Sequence, residues 1–363
     1  MTQRNDSLDF LRGLAILLVA TLHASENFKA SIPPIREFAD RFGALGVQVF
    51  FIVSGYTMLL TFGPIVSRQR IHAFYLRRCF RIAPLFWCAI VGYLLLQGFG
   101  PRYWAPDGVS GSDVALTVFF LHGLTPSSIN NVVPGGWSIA AEMTFYAVFP
   151  LFAHLFVTRR ATISPYVAIC AVFVGGHLIK SLILGPYLEE HTDASSHHLI
   201  DEYFFFWLPN QIIAFGFGFA LYQIVEKRTI PIVGILLLLS GSSLSHFNLS
   251  VAVLFGLALI AMKMGLKNSA MSRLGQASYS IYLVHFAVIM GLKYGSAWLG
   301  FAPVLEVMLP LTIALSLLIS TRVIGPWIEQ PFVNFGRRLS VSRGDERKRK
   351  DIASTTSHGC AST

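Results

Sequence analysis

Residues 8–25 read LDFLRGLAILLVATLHAS. The stretch from Leu14 to Leu22 is apolar apart from Thr21, and its ionisable groups, Asp9, Arg12 and His23, stand only at the two ends. At 1.5 Å per residue such a helix spans about 27 Å, close to the ~30 Å hydrocarbon core of a bilayer. A charged side chain near the middle of a membrane costs at least about 2.5 kcal/mol, so each one retained in a span is a functional candidate. With 100° of turn per residue, Asp9, Arg12 and His23 fall within a ~60° sector of one helix face, and Arg12 and His23 lie about 16 Å apart along the axis. One face therefore links the two leaflets.

The whole chain agrees with a membrane reading. Of 363 residues, 54% are hydrophobic and 13% charged, against about 25% charged in a soluble domain. Apolar runs mark about ten spans: Leu8–Ser25, Gly43–Phe62, Ile82–Phe99, Trp137–Val157, Ile163–Leu184, Tyr203–Val225, Ile230–His246, Leu249–Met264, Ser278–Trp298 and Val304–Ile324. Val114–Leu121 is too short to cross and is expected to be re-entrant or interfacial. The fold class is thus all-α and polytopic, with a membrane domain at 1–335 and a basic, disordered tail at 336–363.

Arg4 ahead of Leu14–Leu22 also resembles a signal peptide. Asp9 and Arg12 interrupt the approach and the small-x-small pattern after His23 is poor, so the segment is expected to remain as a span. Arg68, Arg70, Arg77, Arg78 and Arg81 crowd one connection, and later connections on the same side hold Arg159, Arg160, Lys227, Arg228, Lys263, Lys267 and Arg273. Cytoplasmic loops carry the Lys/Arg excess, which puts both termini in the cytoplasm. The net charge of +9 owes much to Arg337–Lys350, read as a lipid-facing juxtamembrane segment rather than a nucleic-acid site. The four cysteines, Cys79, Cys88, Cys170 and Cys360, have no disulfide or zinc spacing.

His23 reaches the outer part of the first span, where an imidazole can act as a general base toward a hydroxyl. Ser138, Glu142 and Tyr146 recur every fourth residue from the outer end of the fourth span, and Glu142 is expected near the depth of His23, as a carboxylate that orients or charge-stabilises it. At the inner surface, Arg78 and Arg81 stand three apart at a helix entrance, a placement suited to phosphate. Ser278, Tyr282 and His285 share a stripe in the cytoplasmic half of the ninth span and line a route inward. No Walker glycine loop, HExxH metal pair or Gly-x-Ser-x-Gly elbow is present, which disfavours metal or nucleotide hydrolysis.

These residues resemble the acyltransferase 3 family of bacterial membrane enzymes, which decorate lipopolysaccharide O-antigen, exopolysaccharide and Nod factors. Leu8-Asp9-Phe10-Leu11-Arg12-Gly13 followed by His23 looks like the family's Arg-x10-His motif. Phe51–Tyr56, Arg78-x-x-Arg81 before Pro84, Trp137-Ser138 with Glu142, Ser278–His285, and Glu329 before Pro331 continue the match in order. The resemblance implies an O-acyltransferase of the bacterial inner membrane that takes an acyl group from cytoplasmic acyl-CoA, acetyl-CoA by family frequency. The acceptor is then a hydroxyl of an extracytoplasmic or lipid-linked polysaccharide. It further implies that His23 is catalytic, that Arg12 is essential and that Arg78 and Arg81 hold the donor. No appended esterase-like domain is expected after the last span, so the acceptor is expected to be recognised by the membrane domain itself or by partners. The rival readings are a proton-coupled transporter or flippase, which the same buried charges could serve, and a non-catalytic membrane sensor of the same fold.

Overall fold

The computed structural model describes residues 5–63, 66–158, 163–243 and 246–340. Helix α1 (Asp6–Asn27) starts where the Asn5 side chain accepts from the Ser7 and Leu8 amides, satisfying donors that the first turn leaves free. A short α2 (Pro33–Phe42) leads into α3 (Leu45–Phe62), and α4 (Arg68–Gln97) follows, capped by Ser67. The connection to the next long helix holds α5 (Gly111–Val118), closed by a reciprocal Ser110–Asp113 capping box. Next come α6 (Gly136–Thr158), α7 (Ser164–Ile179), a π-turn at Lys180–Leu184, α8 (Gly185–His191), α9 (His198–Phe206) and α10 (Leu208–Val225). The remaining helices are α11 (Ile232–Ser242), α12 (His246–Lys263), α13 (Ser269–Gln276), α14 (Ser278–Trp298), α15 (Leu305–Ile319), a π-turn segment at Ser320–Glu329 and α16 (Gln330–Ser340).

The chain is an all-α, multi-pass membrane protein. Among the described residues, 7 helical stretches are long and apolar enough to cross a bilayer, and 8 if α13 and α14, bent by 81° at their junction, count as one span. The expected apolar runs are largely helical among the described residues, but two of the ten expected spans, Ile230–His246 and Leu249–Met264, are shorter apolar helices, at Ile232–Ser242 and Phe247–Lys263. They pack against each other and against α10.

Two boundaries differ from expectation. Helix α4 begins at Arg68 rather than near Ile82, because the Arg-rich turns gain partners from α6 and α16 that no apolar run announces. The tail expected from 336 onward stays helical through Ser340, with Gly336 pressed on Phe80; the remainder lies outside the described residues. The expected interfacial piece at Val114–Leu121 contains the end of α5, eight residues long, pinned by Trp87 Nε1 donating to Val118 O at 3.0 Å.

Bulky apolar side chains such as Leu95, Leu182, Ile183 and Trp298 point outward, as a surface solvated by lipid requires. The interior is aromatic, centred on Phe145 stacked at 3.9 Å on Phe215 between α6 and α10. Two glycine seams set the closest helix approaches. A Cβ on Gly13 would lie 2.0 Å from Met271 O, and one on Gly275 1.9 Å from Asp9 O, so α1 and α13 touch backbone to backbone. Gly55 and Gly218 do the same for α3 and α10, at 2.4 Å from Phe215 O and 2.2 Å from Ile52 O. Helix α1 thereby sits inside the bundle, against α3, α13, α14 and α15.

Candidate functional site

The α1–α13 seam fixes the turn carrying Asp9 and Arg12, which pair at 3.4 Å. Arg12 faces a cavity that Arg78 and Arg81 of α4 also line, together with Ser138, Glu142 and Tyr146 of α6 and Tyr282 of α14. The cavity leaves about 90 Å³ for water-sized groups. Arg78 and Arg81 are therefore not at a helix entrance, as expected, but well inside α4 and level with Arg12. The stripe of Ser138, Glu142 and Tyr146 faces this cavity as its period requires.

Glu142 accepts a hydrogen bond from Ser54 Oγ at 2.7 Å and another from the Tyr146 hydroxyl. Tyr146 accepts in turn from Arg78 Nη1 at 3.3 Å, and the Arg78 guanidinium lies 4.9 Å from the centre of the Tyr146 ring. The cation is held by a ring face and by the hydroxyls of Tyr146 and Thr61, the latter accepting from Nη2 at 3.4 Å, and no carboxylate pairs with it among the described residues, so its donors can turn to a ligand. Three guanidinium groups converge on one cavity, and planar multi-donor groups of this kind match phosphate oxygens. The expected link from Glu142 to His23 is not formed: the carboxylate is engaged with Ser54 and Tyr146, in the charged half of the site.

His23 lies at the other end of α1, with its Nδ1 2.9 Å from Glu26 Oε2. A carboxylate can only accept, so Nδ1 carries a proton, and in the neutral ring the lone pair is then on Nε2. This is the geometry in which a carboxylate fixes the tautomer of a catalytic base. The partner is Glu26 rather than Glu142. It stands at i+3 on the same helix face, but the apolar run closes at Ser25 while the helix continues to Asn27. The His23 side chain is 22% exposed, enough for a hydroxyl to reach it.

His285 packs beside His23, ring centres 5.4 Å apart, and Phe286 covers His23 at 4.4 Å. His285 Nδ1 donates to Ile281 O at 3.1 Å, which leaves Nε2 as a buried acceptor without a partner among the described residues. The shared stripe of Ser278, Tyr282 and His285 therefore divides. Ser278 and Tyr282 line the arginine cavity, whereas His285 belongs to the imidazole end. Tyr282 joins the two ends: its hydroxyl donates to Gly135 O at 2.9 Å and accepts from Ser138 Oγ at 2.7 Å, and its ring lies 5.9 Å from that of His285. Sequence reasoning missed Glu26 and Ser54 as members of the site, Ser54 because its role depends wholly on the fold bringing α3 to α6.

Comparison with known proteins gives an independent line. A family model described as an acyltransferase domain matches residues 5–324. The exopolysaccharide production protein ExoZ of Rhizobium meliloti (strain 1021) is 30% identical over 319 residues, covering 83% of this chain and 93% of the relative. The acyltransferase MdmB of Streptomyces mycarofaciens is 24% identical over 326 residues, covering 82% of this chain and 81% of the relative. No solved structure matches the chain.

Proposed function

Because the chain belongs to the acyltransferase domain family, matched over residues 5–324, we propose that this membrane acyltransferase moves an acyl group, acetyl in the simplest case, from coenzyme A to a sugar hydroxyl of an extracytoplasmic or lipid-linked polysaccharide. The observation that carries the reading is the pairing on one helix of Arg12, gathered with Arg78 and Arg81, and His23, held by Glu26. The arginines take the phosphates of the donor from the cytoplasmic side. The thioester then points along α1 toward His23, past Tyr282. The relatives from Rhizobium meliloti and Streptomyces mycarofaciens are bacterial, and the plasma membrane is the proposed location, with both termini in the cytoplasm.

In the direct route, His23 Nε2 removes the proton of the sugar hydroxyl as its oxygen attacks the thioester carbonyl. The carbon–sulfur bond breaks and the thiolate leaves, recovering the proton from the imidazolium. In the alternative route the same lone pair attacks the thioester first and expels the thiolate, forming an acyl-imidazole; the sugar oxygen then takes the acyl group, the nitrogen–acyl bond breaks, and the hydroxyl proton passes to the thiolate. Both use the Nε2 lone pair of a ring whose Nδ1–H is held by Glu26. Sealed vesicles supplied with labelled acetyl-CoA on the cytoplasmic face test the proposal: label should appear in polysaccharide ester without movement of an unmodified solute. Solute movement without ester formation would put the transporter reading in its place.

The donor site yields a sharper expectation. Arg81→Ala should weaken coenzyme A binding by about tenfold or more, since a hydrogen bond to a charged group is worth ~1.5–3 kcal/mol and each 1.4 kcal/mol is tenfold. Arg81→Lys should recover part of that, having the charge but not the fork. Calorimetric titration of the folded, detergent-purified variants measures this, and normal binding by the alanine variant would reduce these arginines to topological markers.

Sidedness follows from charge. Reporter domains placed after Arg273 should read cytoplasmic and those between Glu189 and Asp201 extracytoplasmic, because Lys and Arg gather on the first side. The inverse pattern would exchange the donor and acceptor faces.

A further inference from the structure

The cavity that gathers the arginines stops short of the imidazole. Its walls include Ser138 and Tyr282, whereas His23, His285 and Phe286 do not line it. Between the two stands one turn of α14 pressed on the start of α6. The Tyr282 hydroxyl donates to Gly135 O at 2.9 Å and accepts from Ser138 Oγ at 2.7 Å, and Phe50 of α3 meets its ring edge-on at 6.3 Å. Beyond it, the His285 ring lies 5.9 Å from that of Tyr282 and 4.2 Å from that of Phe286, the ring that covers His23. At Gly135, where φ is +75°, a Cβ would stand 2.9 Å from the Tyr282 hydroxyl and 3.1 Å from the Phe286 ring. The positive φ and the close contacts both require glycine, so the backbone itself closes against the two rings.

A wall at this point answers a need that acyl transfer alone does not raise. One face of α1 carries Asp9 and Arg12 at one end and His23, 22% exposed, at the other. An open path along it would join the two sides of the membrane. The cavity walls hold three guanidinium groups against one carboxylate, and pores lined by arginine pass anions, whereas apolar constrictions stop ions by excluding water. Tyr282 suits a closure that moves. It is a single side chain, latched by two hydrogen bonds, and it stands where the acyl group must pass to reach His23.

We propose that Tyr282 is a movable septum: latched to Ser138 and Gly135 it seals the arginine cavity from His23, and it swings aside when the acyl arm of the donor takes its place. The inference rests on the donor reading of that cavity and adds the element that keeps an acyl path across the bilayer from becoming an ion leak.

Tyr282→Ala tests it without any acyl chemistry. The full-length variant, monodisperse after detergent purification, is reconstituted into liposomes that hold a chloride-sensitive dye, with no donor or acceptor present. The parent protein should leave the liposomes as tight as protein-free ones. The variant should admit chloride at least about tenfold faster while potassium entry stays low, as an arginine lining selects. Coenzyme A on both sides of the membrane should suppress that flux, because its phosphates occupy the guanidinium groups. Chloride entry equal to the parent's would overturn the proposal, as would equal entry of chloride and potassium, the mark of a disordered bundle. If the alanine variant does not fold, Tyr282→Phe keeps the ring and removes both hydrogen bonds. It should still admit chloride faster than the parent, and a tight phenylalanine variant would then overturn the latch. A selective leak that coenzyme A leaves untouched would uphold the septum and instead remove the donor reading of the cavity.

Discussion

Replacing His23 with alanine is expected to lower acyl transfer by about 10²- to 10⁴-fold, the usual worth of a general base, and by more where the imidazole itself carries the acyl group. The protein should still insert, because His23 is partly exposed at the end of α1 and the seam that docks α1 lies at Gly13 and Gly275. His23→Gln separates chemistry from packing: glutamine has similar size and hydrogen bonds but neither takes a hydroxyl proton usefully nor forms an acyl-imidazole. It should therefore be as inactive as alanine. Acetate released from purified glycan, at matched membrane levels of each variant, measures the effect, and near-normal acetylation with glutamine would reduce His23 to a packing residue. Glu26→Leu should give a smaller loss in kcat with coenzyme A affinity intact, because the carboxylate orients the ring without meeting the donor.

The second large effect is structural. Gly275→Val should prevent accumulation of folded protein, since the new Cβ would meet Asp9 O at 1.9 Å and lie 3.0 Å from Gly13 N. Overpacking typically costs about 1–3 kcal/mol, and here the obstacle is backbone, which cannot rotate aside. Gly275→Ala should lower thermal stability and acyl transfer together, because the helix turn it pushes away carries Asp9 and Arg12. Fluorescence-detected size exclusion after heating reads the stability. Gly92→Val on α4 is the control, as a Cβ there meets nothing within 4 Å; equal damage from both would show that the seam has no special part.

Much of this was legible in the sequence, for reasons that can be named. Lipid demands long apolar helices, so each apolar run found its helix, and the regular turn of α1 put Asp9 and Arg12 close enough to pair. The same period brought Ser138, Glu142 and Tyr146 to one cavity. What the sequence did not disclose was which faces meet. That Arg78 and Arg81 come level with Arg12, or that Ser54 reaches Glu142, depends on helix packing between distant segments. Glu26 was hidden by a different cause: the helix continues two residues past its apolar run. Helix ends are set by capping and local hydrogen bonds, and hydropathy does not see them.

The seam between α1 and α13 also bears on how the protein comes to exist. Its two halves, Gly13 and Gly275, are synthesised far apart in time, so the first span to enter the bilayer waits there with Asp9 and Arg12 unsupported until most of the chain has followed. During that interval the helix is held by lipid, by α2 and α3, and later by α12. A nascent chain halted before α13 should therefore be inserted yet easily extracted or degraded, and release of the next segment should convert it to a protease-resistant form in one step. The earliest residues of the chain are thus among the last to reach their working positions, and a cell that slows translation near the C-terminal third should lose enzyme to quality control rather than accumulate a partly active form.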